Sequence, residues 1–320
     1  MTKFSRIAAT ASTALIAACA AGSLMAADIF VIGGKPDDPF WSRVKLGAED
    51  AGKVAEAQGG SVTWLGPQNY DNLGPDAAEL IRQAIDQGAD AIVGPDWVPE
   101  AMDPAFQAVT DAGIPLVIYN AGGLEAADKL GALNYVGAVD YKSGFAAGEY
   151  LGNAGQKNGA CVNTLPGAAN IEAFCSGFID GVKATGGEGE TLQLPATAYG
   201  DATAVAQAVR AHLLQNPEVD AMFAIGGGDT NATVSGIQQA GKAGQVKVCG
   251  MNFNDSILAN IQAGTQACAI DQQGFFAVSI LNNYVNYGVT IPTREILTGP
   301  GIVDASNVDL VVEGVKAGAR

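Results

Sequence analysis

From Asp28 onward, short β-branched runs alternate with Ala-rich helical stretches, and this rhythm restricts the fold more than any single motif. Residues 29–33 read as a strand, 41–58 as a helix and 61–65 as a second strand. Strand–helix–strand units of this kind build a parallel, doubly wound α/β sheet. Further strands are expected at 91–93 and 116–119, with helices at 77–87 and 104–112 punctuated by Gly88 and Gly113.

The pattern then restarts, with strands at 160–164, 191–194, 221–225, 246–250 and 267–270 and a helix at 171–185. Two five-strand units in one chain are therefore expected, and local echoes support an internal duplication. Asp90-Ala91-Ile92-Val93 leading to Asp96 resembles Asp220-Ala221-Met222-Phe223 leading to Asp229. Likewise Ala112-Gly113 precedes a strand ending at Asn120, and Ala240-Gly241 one ending at Asn252.

Doubly wound sheets bind ligands at the carboxyl ends of their strands. In the first half those ends carry Asp38, Phe40, Trp41, Asp96 and Asn120; in the second, Asn170, Glu172, Asp229, Asn252, Asp271 and Gln272. If two lobes face each other, both sets line one cleft. Carboxylates and carboxamides suit vicinal hydroxyls, and aromatic faces suit the C–H faces of a sugar ring. Several of these residues also have a structural explanation. Asp38 followed by Pro39 is a good helix start, Asp96 is placed to cap the next helix, and Asn120 and Asn252 suit left-handed turn positions. The polar run 271–273 fits a solvated hinge.

Lys3 and Arg6 precede an apolar stretch over 7–18 and small residues up to Ala27, which reads as a secretory signal over residues 1–27. Ile16-Ala17-Ala18-Cys19 leaves open lipidation at Cys19. No later run of about 18 apolar residues suggests a membrane span, so the remainder is expected to be water-soluble. From Asp28 onward, 15 basic residues face 33 acidic ones, a net charge of about −18 that disfavours nucleic acid and anionic membranes. The remaining Cys161, Cys175, Cys249 and Cys268 allow three disulfide pairings or free buried thiols. Cys161 with Cys175 is favoured, because a strand and its following helix lie close. The single His212 argues against a His-based triad or a multi-His zinc site, and no cofactor is indicated.

Enzyme signatures are weak. Gly33-Gly34-Lys35 lacks the spacing of a phosphate-binding loop, and Gly226-Gly227-Gly228 does not make GxGxxG. Paired carboxylates across a cleft suit a carbohydrate-active enzyme, yet nothing in the sequence fixes their separation.

Asp38-Pro39-Phe40-Trp41, Val136-Gly137, Cys161-Val162-Asn163, Cys175-Ser176-Gly177-Phe178 and Ile270-Asp271-Gln272-Gln273, together with residues 112–120, occur in an order and spacing that carry a likeness. From Asp28 onward the chain resembles the ribose-binding-protein type (type I) of periplasmic sugar-binding proteins that feed ABC transporters. The resemblance implies two lobes joined by a three-segment hinge: about 28–139 with 273–300, and about 140–272 with 301–320. It also implies a periplasmic monomer without catalysis that delivers a small neutral sugar or polyol to a membrane permease, or that serves a chemoreceptor. By position, Asp38, Phe40, Trp41, Asn120, Asn252 and Gln272 match ligand contacts of that family. Relatives usually carry an arginine where this chain has Phe174, and Asn252 stands where Asp is common. Loss of a five-donor fork predicts a smaller or less oxygenated ligand than a hexose, a pentose, deoxysugar or short polyol, with Asn170 and Glu172 nearby to compensate. A sugar-responsive transcription regulator shares the architecture but would begin with a helix-turn-helix rather than an export signal.

Overall fold

Two six-stranded sheets organise the chain, and every strand pairing but one is parallel. The computed structural model describes residues 26–38, 40–271 and 277–316. Most of the expected leader, Cys19, Pro39 and Gln272 lie outside the described residues.

The first sheet grows from β1 (Asp28–Ile32), α1 (Trp41–Ala57), β2 (Ser61–Leu65), α2 (Leu73–Asp86), β3 (Ala91–Gly94), α3 (Pro99–Asp111), β4 (Leu116–Tyr119), α4 (Gly123–Lys129) and β5 (Tyr135–Gly137). The second follows with α5 (Asp140–Asn153), β6 (Asn158–Asn163), α6 (Ala169–Ala184), β7 (Glu188–Gln193), α7 (Ala202–Gln215), β8 (Ala221–Ala224), α8 (Gly227–Gln239), β9 (Lys247–Met251), α9 (Asp255–Gln262) and β10 (Cys268–Asp271). The chain ends in α10 (Ala277–Tyr287), β11 (Glu295–Leu297), β12 (Gly301–Asp304) and α11 (Val308–Lys316).

Strand order is β11-β5-β4-β3-β1-β2 in one sheet and β12-β10-β9-β8-β6-β7 in the other, so the two lobes repeat one topology. Sequence reasoning expected five strands per unit. The sixth ones come from the C-terminal segment: β11 adds parallel to β5, and β12 adds antiparallel to β10. Three crossings join the lobes, from β5 to α5, from β10 to α10, and from β11 to β12. Helix α10 packs on α1, β1, β3 and β4, which returns the chain to the first lobe.

Central strands are apolar throughout because helices cover both faces. Leu116-Val117-Ile118-Tyr119 and Ala221-Met222-Phe223-Ala224 are buried at every position. Two helix starts, of α7 and α9, are capped by the N-cap side chain: Asp201 Oδ1 accepts from Thr203 N and Ala204 N, and Asn254 Oδ1 from Ile257 N. Gly88 and Gly113 follow α2 and α3 at φ 82° and 74°, the left-handed backbone that closes a helix without a Cβ penalty.

Both disulfides lie in the second lobe. Cys161–Cys175 ties β6 to α6 with a Cα–Cα distance of 5.4 Å. Cys249–Cys268 joins residues directly opposite in the β9–β10 ladder, at 4.5 Å.

Candidate ligand-binding site

The first strand of each lobe, β1 or β6, lies between a neighbour on either side, and connections leave in opposite directions at the β1/β3 and β6/β8 boundaries. Loops part there and leave a crevice beyond the strand ends. A cavity of about 60 Å3 lies between the two crevices, on a scale where one water needs roughly 10–15 Å3. Phe40 and Trp41 reach it from the start of α1, Trp97 and Asn120 from beyond β3 and β4. Opposite them stand Asn170 and Phe174 on the first turns of α6, and Asn252 just past β9.

Aromatic rings form the first-lobe wall. Trp41 is 5% exposed and stands edge-on to Phe40, Trp97 and Tyr119, with centroid distances of 4.8, 5.4 and 6.1 Å. Such edge-to-face packing adds to area burial and fixes the rings. Tyr119 is itself anchored, its hydroxyl donating to Ile32 O at 2.8 Å. The Gly33-Gly34 pair has a steric origin: a Cβ on Gly33 would sit 2.1 Å from Trp64, and one on Gly34 2.1 Å from Trp41.

Three carboxamides supply the polar contacts. Asn120 and Asn252 occupy equivalent places beyond β4 and β9 and share left-handed backbone, φ 63° and 60°. Asn is one of few side chains that tolerate that conformation, so the turn requirement and the cavity position coincide at both residues. Asn120 Oδ1 accepts from Trp97 Nε1 at 3.3 Å, leaving its amide nitrogen for the cavity. Asn170 is 9% exposed, and its Oδ1 is buried with no hydrogen-bond partner among the described residues. A buried acceptor left unpaired costs about 1–3 kcal/mol, and a ligand donor would satisfy it. Among the described residues, no charged side chain lines this cavity.

The five carboxylates expected near the site, Asp38, Asp96, Glu172, Asp229 and Asp271, stand outside this lining. Asp38 Oδ1 caps α1, accepting from Phe40 N at 2.8 Å and Trp41 N at 3.2 Å, while Oδ2 accepts from the Tyr199 hydroxyl of the other lobe at 3.1 Å. Asp229 accepts from Thr164 Oγ1 at 2.7 Å and Gly200 N at 3.2 Å. Burial raises its pKa to about 6 against these two hydrogen bonds, with the Asp38 charge adding a smaller push in the same direction. Asp38 and Asp229 share a smaller adjoining pocket with Tyr199 and Gly226. Asp96 is 1% exposed and lies off the cavity. Burial first, then the charge of Asp103, lifts it to about 7. Glu172 Oε1 accepts from Asn163 Nδ2 and Gly167 N, both at 3.0 Å, and so braces the β6–α6 loop. These acids meet internal donors or internal neighbours, which draws them away from the cavity.

Sequence reasoning missed Tyr70, Trp97 and Tyr199. All three sit in loops after strands, where their partners come from the opposite lobe or a distant loop. Tyr70 and Tyr199 meet edge-on across the lobes at 4.7 Å. The Tyr70 hydroxyl accepts from Lys35 N at 2.9 Å. A further bridge runs from Ala169 N to Trp97 O at 2.8 Å. The lobes therefore touch directly around the cavity rim.

Residues 29–286 match the family of the periplasmic binding protein domain, most of the chain. The chain belongs to that family. This membership implies an extracytoplasmic setting and accounts for the repeated lobes. Among its relatives, the periplasmic binding protein is 26% identical over 290 residues to a xylose/arabinose-binding protein of Sulfolobus acidocaldarius, covering 85% of this chain and 69% of the other. It is 31% identical over 201 residues to a D-ribose/D-allose-binding protein of Pseudomonas aeruginosa, 60% of this chain and 61% of that one. A carbohydrate transporter from Acidothermus cellulolyticus, solved in complex with myo-inositol, superposes with a TM-score of 0.81 at 29% identity, covering 92% of this chain and 99% of that one.

Proposed function

We propose that this periplasmic binding protein is the solute-binding component of an ABC importer, taking one small neutral sugar or polyol between its lobes. The observation that carries this reading is the lining itself: among the described residues, aromatic rings and three carboxamides, one with an orphan carbonyl, and no charged side chain. Carboxamides donate and accept at once, as vicinal hydroxyls do, and flat rings cover apolar ring faces. An ionic ligand would lose its hydration with no counter-charge to offset it. The cavity volume of about 60 Å3 is in keeping with a small ligand of a single ring. Phe174 brings an apolar ring to the wall, in favour of a pentose, deoxysugar or short polyol over a fully oxygenated hexose. The named ligands of the relatives, xylose, arabinose, ribose, allose and myo-inositol, are of the same neutral class.

The mechanism is hinge closure. Ligand contacts from both lobes stabilise the closed form, and the three crossings absorb the rotation. The Asp38–Tyr199 and Trp97–Ala169 bridges add lobe-to-lobe contacts on closing, and the loaded protein then docks on a membrane permease.

A thermal-shift screen of the chain from Asp28 tests the reading with pentoses, hexoses, deoxysugars and cyclitols beside amino acids, sugar acids and sugar phosphates. At 100 times its Kd a ligand adds about 2.7 kcal/mol of stability. Stabilisation by neutral compounds alone is expected; stabilisation only by amino acids or phosphates would overturn the ligand class.

A further inference from the structure

Helix α5 carries Gly144, Gly148 and Gly152 at four-residue spacing, and α6 carries Gly177 and Gly181 at the same spacing. Residues four apart share one helix face, and these two faces meet backbone to backbone. A Cβ on Gly144 would lie 2.0 Å from the Phe174 carbonyl oxygen, and one on Gly148 2.2 Å from that of Phe178. In the reverse direction, Gly177 abuts Tyr141 O and Gly181 abuts Phe145 O, at 2.0 and 2.3 Å from an added Cβ.

Phe174 is thereby held from two sides. Its carbonyl rests against α5, and its neighbour Cys175 is bonded to Cys161 on β6. Its ring lines the ligand cavity. Helix α5 is the first element after the β5 crossing, beginning at Asp140, only three residues past Gly137. We propose that Gly144 is a positioning residue for Phe174: the backbone contact from α5, with the Cys161–Cys175 link, sets the place of the Phe174 ring and thereby ligand selectivity. The contact also makes the first crossing and the ligand-facing turns of α6 move as one body. This inference rests on the proposed binding role of the cavity.

The test compares Gly144→Ala with Gly148→Ala in the chain from Asp28. Both put a methyl into the same helix contact, but Gly148 faces Phe178, which lies in the core outside the cavity. Melting temperature, ligand-free hydrogen exchange over residues 169–176, and calorimetric Kd values for D-xylose and myo-inositol are measured on each. Both variants are expected to melt lower. Only Gly144→Ala is expected to speed exchange in the first turns of α6 and to change the ratio of the two Kd values, by about fivefold or more. Equal exchange and an equal ratio in the two variants would overturn the proposal. If neither sugar binds the unaltered chain, these two ligands are excluded, and the exchange comparison still decides the positioning role. If Gly144→Ala does not fold, the double variant Cys161→Ala with Cys175→Ala releases the other anchor. The same local rise in exchange is then expected, and unchanged exchange refutes the clamp.

Discussion

Asp96→Asn is predicted to flatten the dependence of folding stability on pH. Asp96 is buried at 1% exposure beside Asp103, and its pKa stands at about 7 against an ordinary 3.8. Between those values the folded chain holds a proton that the unfolded chain has released, so stability falls as pH rises through this window and levels off above it. A shift of about three units at about 1.4 kcal/mol each sets a ceiling near 4 kcal/mol, with roughly 2–4 kcal/mol expected once water penetration is allowed for. Asparagine stays neutral and offers an amide donor to Asp103. Urea denaturation of both proteins at pH 4, 6 and 8 measures the difference directly. The variant should match the parent at pH 4 and exceed it progressively at pH 6 and 8; parallel curves at all three values would refute a neutral Asp96 in the folded state. Asp229, raised to about 6, leaves both proteins a residual slope below that pH.

Other substitutions follow from the same contacts. Asn170→Ala removes the orphan carbonyl, so the ligand-free protein should be as stable as the parent while affinity falls by about 1–3 kcal/mol, roughly 5- to 150-fold. Calorimetry and a melt without ligand separate the two effects. Tyr199→Phe deletes the hydrogen bond to Asp38 across the lobes. Its release rate, followed by stopped flow, should rise about 2- to 10-fold for a bond worth 0.5–1.5 kcal/mol, and an unchanged rate would dismiss the bridge as a closing contact. Trp41→Ala empties a site that four rings surround and should cost about 3–5 kcal/mol of stability by denaturation.

Much of the fold was legible because parallel strands covered on both faces must be continuous apolar runs, as at 116–119 and 221–224. Glycine-closed helices between them left few topologies. The sixth strands were not legible: β11 and β12 are three and four residues long, below the length at which a pattern emerges. At the site, Asn120 and Asn252 could be found because a strand end and a left-handed turn coincide there. Asn170 followed from its place beyond a strand end, and Phe174 only from the resemblance, at the position where relatives carry an arginine. Asp229 and Glu172 stood at equally suitable strand ends, but internal donors, invisible in one dimension, engage their carboxylates, and Asp96 is buried beside Asp103 instead. Tyr70 and Tyr199 gain their meaning only when two loops 129 residues apart meet. The four-residue spacing of Gly144, Gly148 and Gly152, with Gly177 and Gly181, was a readable sign of two helices in close contact.

The central claim is that an uncharged lining holds an uncharged polyhydroxy ligand between the lobes. It is tested most directly by calorimetric titration of the chain from Asp28 with a neutral sugar identified by the screen and with its uronic acid and phosphate, at low and high salt. The account predicts heat for the neutral compound alone, with a Kd that changes less than about twofold with salt, since no charge pair is screened. Tighter binding of the charged derivative, weakening as salt rises, would contradict it.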